Sequence, residues 1–321
     1  MIYITVFTPT YNRGYILERV YRCLQEQTFS AFEWLIIDDG SCDNTRELVE
    51  EWMMRGNTFP IHYVYQENQG KQKAINHALD LARGKLFFVV DSDDMLTKNA
   101  LEKIDQWEQT LPVNKKFCGF AGSDGDMSGE PTNPIFKEEY VDATFLNRYP
   151  ESGQFIGYDR PWVFYTDVHR KYKYPEFKEE TFVPEAVAWN RMARDGYQVR
   201  CFNDVIYLWE HQNDGLTKNI QNICAQNPWG YGVWQKEKAQ YLEYSLKKRW
   251  KMYYSFYCDL KEKHSCREIA LYISVPTIVI NANIMTHITS RILVRIFLSL
   301  IITARLLLYS IINRTKLWIF I

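Results

Sequence analysis

Two carboxylates one residue apart, Asp91 and Asp93, follow an apolar run at residues 86–90. Carboxylate oxygens are preferred ligands of hard divalent cations. A magnesium or manganese ion held there would bridge the diphosphate of a nucleotide and neutralise the charge that develops as the nucleotide leaves. A solvated acidic turn has the same sequence, so the metal interpretation depends on the elements that position the two residues.

Three other polar segments have residue types that suit a nucleotide. At residues 8–13, the ring of Tyr11 suits a base and Arg13 suits a phosphate; the alternative is a turn in which Asn12 caps a helix. At residues 38–41, a buried carboxylate would accept the N3–H of uracil, and the alternative is again a capping turn. At residues 68–71, a lysine precedes a predicted helix whose N–H groups would also meet a phosphate.

The N-terminal third of the chain alternates apolar runs with helical spacing, which predicts a parallel sheet with right-handed crossovers. Ligands of such sheets bind beyond the carboxyl ends of the strands. Polar segments follow three of the four predicted strands, which indicates a binding crevice. The predicted strands are residues 2–7, 33–37, 61–65 and 86–90, and the predicted helices are residues 15–27, 45–54 and 70–82.

Beyond about residue 112 the pattern becomes irregular. Residues 119–134 are rich in Gly, Ser and Asp, which predicts a mobile loop. The other elements predicted here are a strand at residues 163–165, a helix at 183–194, one or two strands at 199–209 and one long helix at 231–263.

The C-terminal segment, residues 292–312, is strongly apolar but contains two arginines. On a helix, Arg291, Arg295, Arg305 and Lys316 fall within about 40° of one line. A transmembrane span would carry Arg295 and Arg305 into the bilayer at a high free-energy cost. A helix that lies in the membrane interface avoids this cost and is our prediction; a span, or docking on a partner or on the core, is the alternative.

Composition restricts the class of protein. The formal net charge is -1, which gives no reason to expect a nucleic-acid partner. The seven cysteines are odd in number and contain no C-x-x-C pair, so we expect reduced thiols in the cytoplasm. The sequence begins directly with an apolar strand rather than a signal peptide, which predicts a catalytic part on the cytoplasmic side.

Taken together, the four polar segments resemble the nucleotide-binding half of a family 2 glycosyltransferase of GT-A fold. The resemblance extends over roughly residues 1–220 and is most specific in the first hundred. The matching segments are T-P-T-Y-N-R at residues 8–13, I-D-D-G-S at 37–41, N-Q-G-K-Q-K-A-I-N-H-A at 68–78 and V-D-S-D-D at 90–94.

The resemblance implies a UDP-sugar donor, a Mn2+ or Mg2+ ion held chiefly by Asp93, and an inverting single displacement. It places the uracil against Tyr11 and Asp39, with Asp91 and Ser92 near the ribose. The donor-binding residues implied in this way are Thr8, Pro9, Tyr11, Arg13, Asp39, Lys71, Asp91 and Ser92, and the metal ligands are Asp93, Asp91 and His211.

An inverting displacement needs a carboxylate that accepts the proton of the acceptor hydroxyl. The family usually has an acidic pair at the start of a helix; here Pro184 replaces the first acid, and Glu185 fits the base position. Proline is compatible with a first helical turn. A carboxylate at this place is also explained as a partner of the helix dipole, and Asp159 and Glu180 are the reserve candidates for the base.

Residues 209–217 resemble a segment that closes over the donor in this branch of the family. His211 in this segment would ligate the metal or contact the diphosphate, although many relatives have an aromatic residue there. We therefore treat His211 as the third candidate metal ligand, after Asp93 and Asp91.

These observations predict an α/β protein with a GT-A, Rossmann-like, mostly parallel sheet flanked by helices and a C-terminal helical membrane-associating extension. The predicted domains are residues 1–220 (a nucleotide-binding half, 1–100, and an acceptor half, 101–220), a helical extension at 221–270 and amphipathic helices at 271–321. We expect a hexosyl- or N-acetylhexosaminyltransferase acting on a glycan or lipid-linked glycan at the cytoplasmic face of a membrane.

Two alternatives remain at this point. A nucleotidyltransferase also uses an acidic metal site on an α/β sheet, but it would need a glycine-rich basic phosphate loop after the first strand, which residues 8–13 do not provide. An inactive membrane-bound scaffold that binds nucleotide is the other, and the intact carboxylates argue against it.

Overall fold

A computed structural model of the chain describes residues 2–210, 212, 219–287 and 289. The chain divides into two units, the first ending at Tyr244 and the second beginning at Ser245. His211 and residues 290–321 lie outside the described residues, so the predictions that concern them stay predictions. All other predicted site residues belong to the first unit.

The first unit is built on a sheet of nine described strands in the order β3-β2-β1-β4-β8-β6-β9-β5, with β7 paired to β9. Strands β1 to β4 pair in parallel, and β8 runs antiparallel between β4 and β6. This confirms the predicted α/β sheet; its pairings are mixed, with four parallel and four antiparallel ones among the described strands. The strands are β1 Ile4–Thr10, β2 Phe32–Asp38, β3 Ile61–Tyr65, β4 Leu86–Val89, β5 Met95–Leu96, β6 Phe117–Gly125, β7 Tyr140–Ala143, β8 Trp162–Tyr165 and β9 Gln198–Leu208.

Helices cover both faces of this sheet, because its strands are apolar on both sides. Alternate residues of the strands supply two cores: Trp34 and Phe88 pack in one, and Leu35 and Phe87 in the other. The helices of the first unit are α1 Glu18–Gln25, α2 Thr45–Met54, α3 Lys71–Leu81, α4 Ala100–Gln109, α5 Thr166–His169, α6 Ala186–Arg194, α7 Ile220–Gln226 and α8 Pro228–Tyr241.

The prediction of a mobile loop at residues 119–134 is wrong for its first half, which belongs to strand β6. Its glycines permit close strand packing: a Cβ at Gly119 would lie 1.9 Å from the carbonyl oxygen of Val163, and one at Gly122 would lie 2.6 Å from Cγ1 of Ile206. Composition suggested mobility, but the glycines are required by tertiary contacts that composition does not reveal.

The predicted long helix at residues 231–263 is interrupted between the two units. Helix α8 ends at Tyr241, and helix α9, Leu246–Leu260, begins the second unit. Glu243 has a positive φ of 49°, which a continuous helix does not allow. Ser245 then caps α9 by accepting a hydrogen bond from the N–H of Lys248 at 3.3 Å.

The second unit continues with α10, Cys266–Tyr272, and a helix at Thr277–His287. The Asn283 side chain donates to the carbonyl of Trp250 on α9 at 2.7 Å. Among the described residues no single helix is long and apolar enough to cross a membrane. The two helices after α9 meet that criterion only as a pair, bent by 114°.

The ring of His169 is buried inside the first unit. The His169 ring is enclosed by Phe87, Phe164 and Tyr174, with centroid distances of 5.8, 4.3 and 6.1 Å. Neither ring nitrogen has a hydrogen-bond partner within the described part of the chain. Burial lowers the pKa of His169 to about 3, so the ring is neutral in the folded protein.

We expect this histidine to make the protein less stable in acid. The unfolded chain binds a proton at His169 near pH 6.5, whereas the folded chain does so only near pH 3. Stability from this group is therefore complete above pH 6.5 and falls below it by up to about 1.4 kcal/mol per pH unit. Urea unfolding of wild type and His169→Phe from pH 7 to pH 4 should give curves that diverge as the pH falls. Parallel curves would contradict a neutral, buried ring.

Candidate active site

The loops that follow β1 and β2 are tied together by hydrogen bonds. The N–H of Asn12 donates to Oγ of Ser41, and Oδ1 of Asn12 accepts from the N–H of Cys42, both at 2.8 Å. Asn12 therefore joins two loops and does not cap α1, whose N-cap is Leu17. Tyr11 is left at the rim with 49% of its surface exposed, accessible to a planar ligand.

The residues at the end of β1 differ in burial and in hydrogen bonding. Thr8 is fully buried, and its Oγ1 accepts a hydrogen bond from Nε1 of Trp34 at 3.0 Å, so its hydroxyl contacts the core. Pro9 is partly buried. The sequence reasoning passed over Thr10, whose buried Oγ1 has no hydrogen-bond partner among the described residues.

Asp39, at the end of β2, holds the loop that leads into α3. Its carboxylate accepts from Nε2 of Gln66 at 2.7 Å and from the N–H groups of Gln69 and Gly70 at 2.9 and 2.7 Å. A carboxylate has about four acceptor sites, so these bonds leave one for a donor on a ligand. Asp39 therefore fixes the loop at residues 66–70, which precedes α3.

The start of α3 lies directly against the segment that precedes α6. Gly70 has a φ of 95°, and a Cβ there would lie 1.7 Å from the carbonyl oxygen of Thr181. Only glycine fits this backbone conformation and this approach. Two residues on, Oε1 of Gln72 accepts from the N–H of Val183 at 3.4 Å. The predicted nucleotide-binding half and the predicted acceptor half are thus in backbone contact at this point.

Lys71 contacts a carboxylate from each half. Its Nζ lies 2.8 Å from Oδ1 of Asp91 and 3.1 Å from Oε1 of Glu185. Burial opposes the charge on Lys71, but these two carboxylates raise its pKa well above the usual value. The structure therefore brings together three residues that are far apart in the sequence.

The acidic turn after β4 concentrates negative charge in a partly buried place. Burial, with the charge of Asp91 as the next cause, raises the pKa of Asp93, while Arg13 opposes the rise. Burial and Asp91 likewise raise the pKa of Asp94 to about 8. The hydroxyl of Tyr207 donates to Asp94 at 2.7 Å and accepts from the N–H of Asp91 at 3.0 Å. Ser92, in the same turn, is buried.

This donor set fits a hard divalent cation that is shared with a substrate. No group of three or more His, Cys, Asp or Glu side chains in the described part of the chain could hold a metal by itself. Mg2+ and ions of similar chemistry are commonly bound by one or two carboxylates together with substrate phosphates and water. Asp93 and Asp91 can supply such a pair, and His211 lies outside the described residues.

Glu185 occupies the N-cap position of α6, yet its side chain makes no capping hydrogen bond. The carboxylate instead contacts Lys71. Burial raises the pKa of Glu185, Lys71 opposes the rise, and Asp159 and Asp91 add to it. A carboxylate with a raised pKa is a stronger proton acceptor at neutral pH.

The two reserve candidates for the base have structural contacts. Glu180 accepts from the N–H groups of Trp229 and Gly230 at 2.7 and 2.9 Å, at the start of α8. Asp159 accepts from Nε1 of Trp162 at 3.0 Å and from the N–H of Arg160 at 2.9 Å, and it is exposed. The Glu180 carboxylate is thus bound to the helix terminus, whereas Asp159 is exposed to solvent.

Asp124 is a titratable residue near the acceptor side that the sequence reasoning missed. It lies near the end of β6, where burial and the charge of Asp159 raise its pKa to about 7. Nδ2 of Asn133 donates to it at 3.1 Å. The signal was available as a carboxylate at a strand end, but it was lost because this stretch was interpreted as a loop.

Comparison with known proteins agrees with this geometry. Residues 5–113 match the family model of glycosyl transferase family 2. The matched residues span β1 to β4 and the acidic turn.

Two bacterial relatives are similar in sequence. Glycosyltransferase GlyG of Streptococcus pneumoniae is 35% identical over 150 residues, which are 45% of this chain and 49% of the relative. The GalNAc(5)-diNAcBac-PP-undecaprenol beta-1,3-glucosyltransferase of Campylobacter jejuni is 26% identical over 206 residues, 60% of each chain. The chain therefore spans less than two thirds of either relative.

Solved structures share the fold at low identity. TarS 1-349 from S. aureus in complex with UDP-GlcNAc superposes with a TM-score of 0.56 at 17% identity, covering 85% of this chain and 84% of that one. Mannosyltransferase PcManGT from Pyrobaculum calidifontis, in complex with GDP-Man and Mn2+, gives 0.52 at 17% identity, covering 89% and 86%. These matches establish a fold of the GT-A type.

Proposed function

We propose that the chain is an inverting glycosyltransferase that uses a UDP-sugar and a divalent metal. The observation that carries this proposal is the contact of Lys71 with both Asp91 and Glu185. Through this one cation, the predicted base lies next to the predicted nucleotide and metal side of the crevice. The nucleotide sugars in the TarS and PcManGT complexes support the choice of donor class.

In this proposal Asp93 and Asp91 hold Mn2+ or Mg2+, which would neutralise charge on the departing diphosphate. Tyr11 and the remaining acceptor site of Asp39 bind the uracil, and Ser92 lies near the ribose. Arg13 and Lys71 contact phosphate oxygens. Thr8 and Pro9 act indirectly by shaping the end of β1.

Glu185 accepts the proton of the acceptor hydroxyl as that oxygen attacks the anomeric carbon of the donor sugar. The bond from this carbon to the diphosphate oxygen breaks at the same time, and UDP leaves on the opposite side. Configuration is inverted because attack and departure occur on opposite faces. A base on the acceptor side, separated from the donor carboxylates by Lys71, suits this geometry.

We further propose that the acceptor is a surface-glycan precursor, carried on a polyprenyl diphosphate, at the cytoplasmic face of the membrane. The Campylobacter relative is named for an undecaprenol-linked acceptor. The apolar segment with a basic stripe at residues 292–312 suits the same location.

The full chain should sediment with anionic vesicles, and a chain ending at residue 289 should not. Equal sedimentation of the two chains would contradict a membrane-binding role of the C-terminal segment.

The decisive experiment is a donor panel of UDP- and GDP-sugars, with release of nucleoside diphosphate measured with Mn2+ and with a chelator. We expect metal-dependent release of UDP from at least one UDP-sugar. Release of pyrophosphate from a nucleoside triphosphate would favour a nucleotidyltransferase. Tight UDP binding without turnover of any donor, with and without candidate acceptors, would favour a scaffold.

A further inference from the structure

The ammonium group of Lys71 is shared between two carboxylates with different proposed tasks. Asp91 belongs to the turn that would hold the metal and the nucleotide, and Glu185 would accept the acceptor's proton. The distances from Nζ, 2.8 Å to Asp91 and 3.1 Å to Glu185, are those of two direct ion pairs. The Lys71 side chain is 20% exposed, so solvent screens these pairs less than pairs at the surface.

The surrounding backbone fixes this arrangement. Asp39 holds the N–H of Gly70 at 2.7 Å, and Gly70 packs directly on the carbonyl of Thr181. Gln72 holds the N–H of Val183. Residues on either side of Lys71 therefore contact the segment that leads to Glu185, so a change in the partners of the ammonium group requires rotation of the lysine side chain and no movement of this backbone.

A donor diphosphate that binds beside Asp91 would compete for the same ammonium group. If the ammonium group moves toward a phosphate, its distance to Glu185 increases, which weakens the ion pair with Glu185. Donor binding and the ion pairing of the base are then linked, and by thermodynamic reciprocity the charge on Glu185 must also affect donor affinity.

We propose that Lys71 is a positioning residue that couples the donor site to the base. With no donor bound, it pairs with Glu185 and holds this carboxylate beside the donor site. With a donor bound, it turns toward the diphosphate and frees Glu185 to accept the acceptor's proton. This inference rests on the proposed function, since it needs a nucleotide that binds beside Asp91.

The test is a double-mutant cycle on binding, with UDP and Mn2+ as the probe and calorimetry as the measurement. Glu185→Gln should tighten UDP binding about 5-fold or more, because Lys71 is no longer shared. In the Lys71→Met background, the same Glu185→Gln change should leave UDP affinity unaltered. Lys71→Arg keeps a cation and should retain most of the coupling.

Two matched controls separate coupling from general electrostatics. Asp159→Asn removes a carboxylate whose charge acts on Glu185 but which makes no contact with Lys71 among the described residues. This variant should change UDP affinity by less than about 2-fold. Lys73→Met removes a charge from the same helix and should leave the effect of Glu185→Gln intact. Thermal unfolding of each variant verifies that it is folded.

The outcomes are distinguishable. If Glu185→Gln tightens UDP equally with and without Lys71, the effect is long-range repulsion and the coupling is contradicted. If Glu185→Gln leaves UDP affinity unchanged in the otherwise wild-type protein, the coupling is also contradicted, while a transferase function stands. If wild type binds neither UDP nor any UDP-sugar, the proposed function itself fails.

Discussion

Glu185→Gln should lower the rate of sugar transfer by about 10²–10⁴-fold, the usual contribution of a general base. Glutamine keeps the size and polarity of the side chain but cannot accept the proton. UDP binding should survive, and tighten as proposed above, because among the described residues Glu185 contacts the proposed donor side through Lys71. Steady-state transfer, with the donor and acceptor found by the panel, measures the rate, and calorimetry with UDP measures binding.

Glu180→Gln is the matched control for this prediction. Glu180 has the same chemistry and lies five residues earlier, but its carboxylate accepts two backbone N–H groups at the start of α8. We expect this variant to lose stability, by about 1–3 kcal/mol, and to keep its rate per folded molecule. A normal rate in Glu185→Gln together with a large loss in Asp159→Asn would move the base to Asp159.

Asp93→Asn should abolish metal-dependent turnover, with a loss of about 10³-fold or more, because an ion that stabilises several kcal/mol of transition-state charge would no longer be held. Folding should be retained. Asp93 lies in the turn beyond β4, where burial and Asp91 already disfavour its charge, so a neutral amide there relieves repulsion. Thermal unfolding without ligand should therefore show no loss of stability.

Asp94→Asn is the comparison within the same turn. Asp94 receives a hydrogen bond from Tyr207, on the neighbouring strand β9, and an asparagine oxygen can accept the same bond. We expect a much smaller loss of turnover than for Asp93→Asn. Asp93→Asn should also weaken the binding of manganese, which is measured by titration of the ion in the presence of UDP. Equal manganese affinity and equal UDP release in wild type and Asp93→Asn would contradict the metal assignment.

The N-terminal half of the fold was predictable because its signals are local. Strands β1, β2 and β4 are almost entirely buried and consist mainly of apolar residues, and the polar segments follow them directly. Parallel pairing then places these segments at one edge of the sheet. The position of the predicted crevice followed from these strand ends without any knowledge of side-chain contacts, whereas its interpretation as a nucleotide site came from the resemblance of the polar segments to a known family.

The second half was less predictable because its elements depend on distant partners. Strand β6 contains three glycines that its neighbours require, and β8 is an antiparallel strand of four residues. The contact of Lys71 with Glu185 joins residues more than a hundred positions apart, and the local sequence around either residue does not predict it. Likewise, the role of Glu180 at the terminus of α8 is visible only when residues 229 and 230 lie beside it.

The hydrogen-bonded sheet extends beyond the segment that matches the family model, in part through the antiparallel strand β8. The family match ends at residue 113, but β4 pairs with β8, and β5 pairs with β9. A fragment cut at residue 113 would expose the backbone groups of both strands as open edges, which invite self-association. In a chimera of two relatives, a crossover at the end of the sequence signature would therefore divide a continuous hydrogen-bonded sheet between two parents. A crossover after β9 takes all nine described strands of the sheet from one parent.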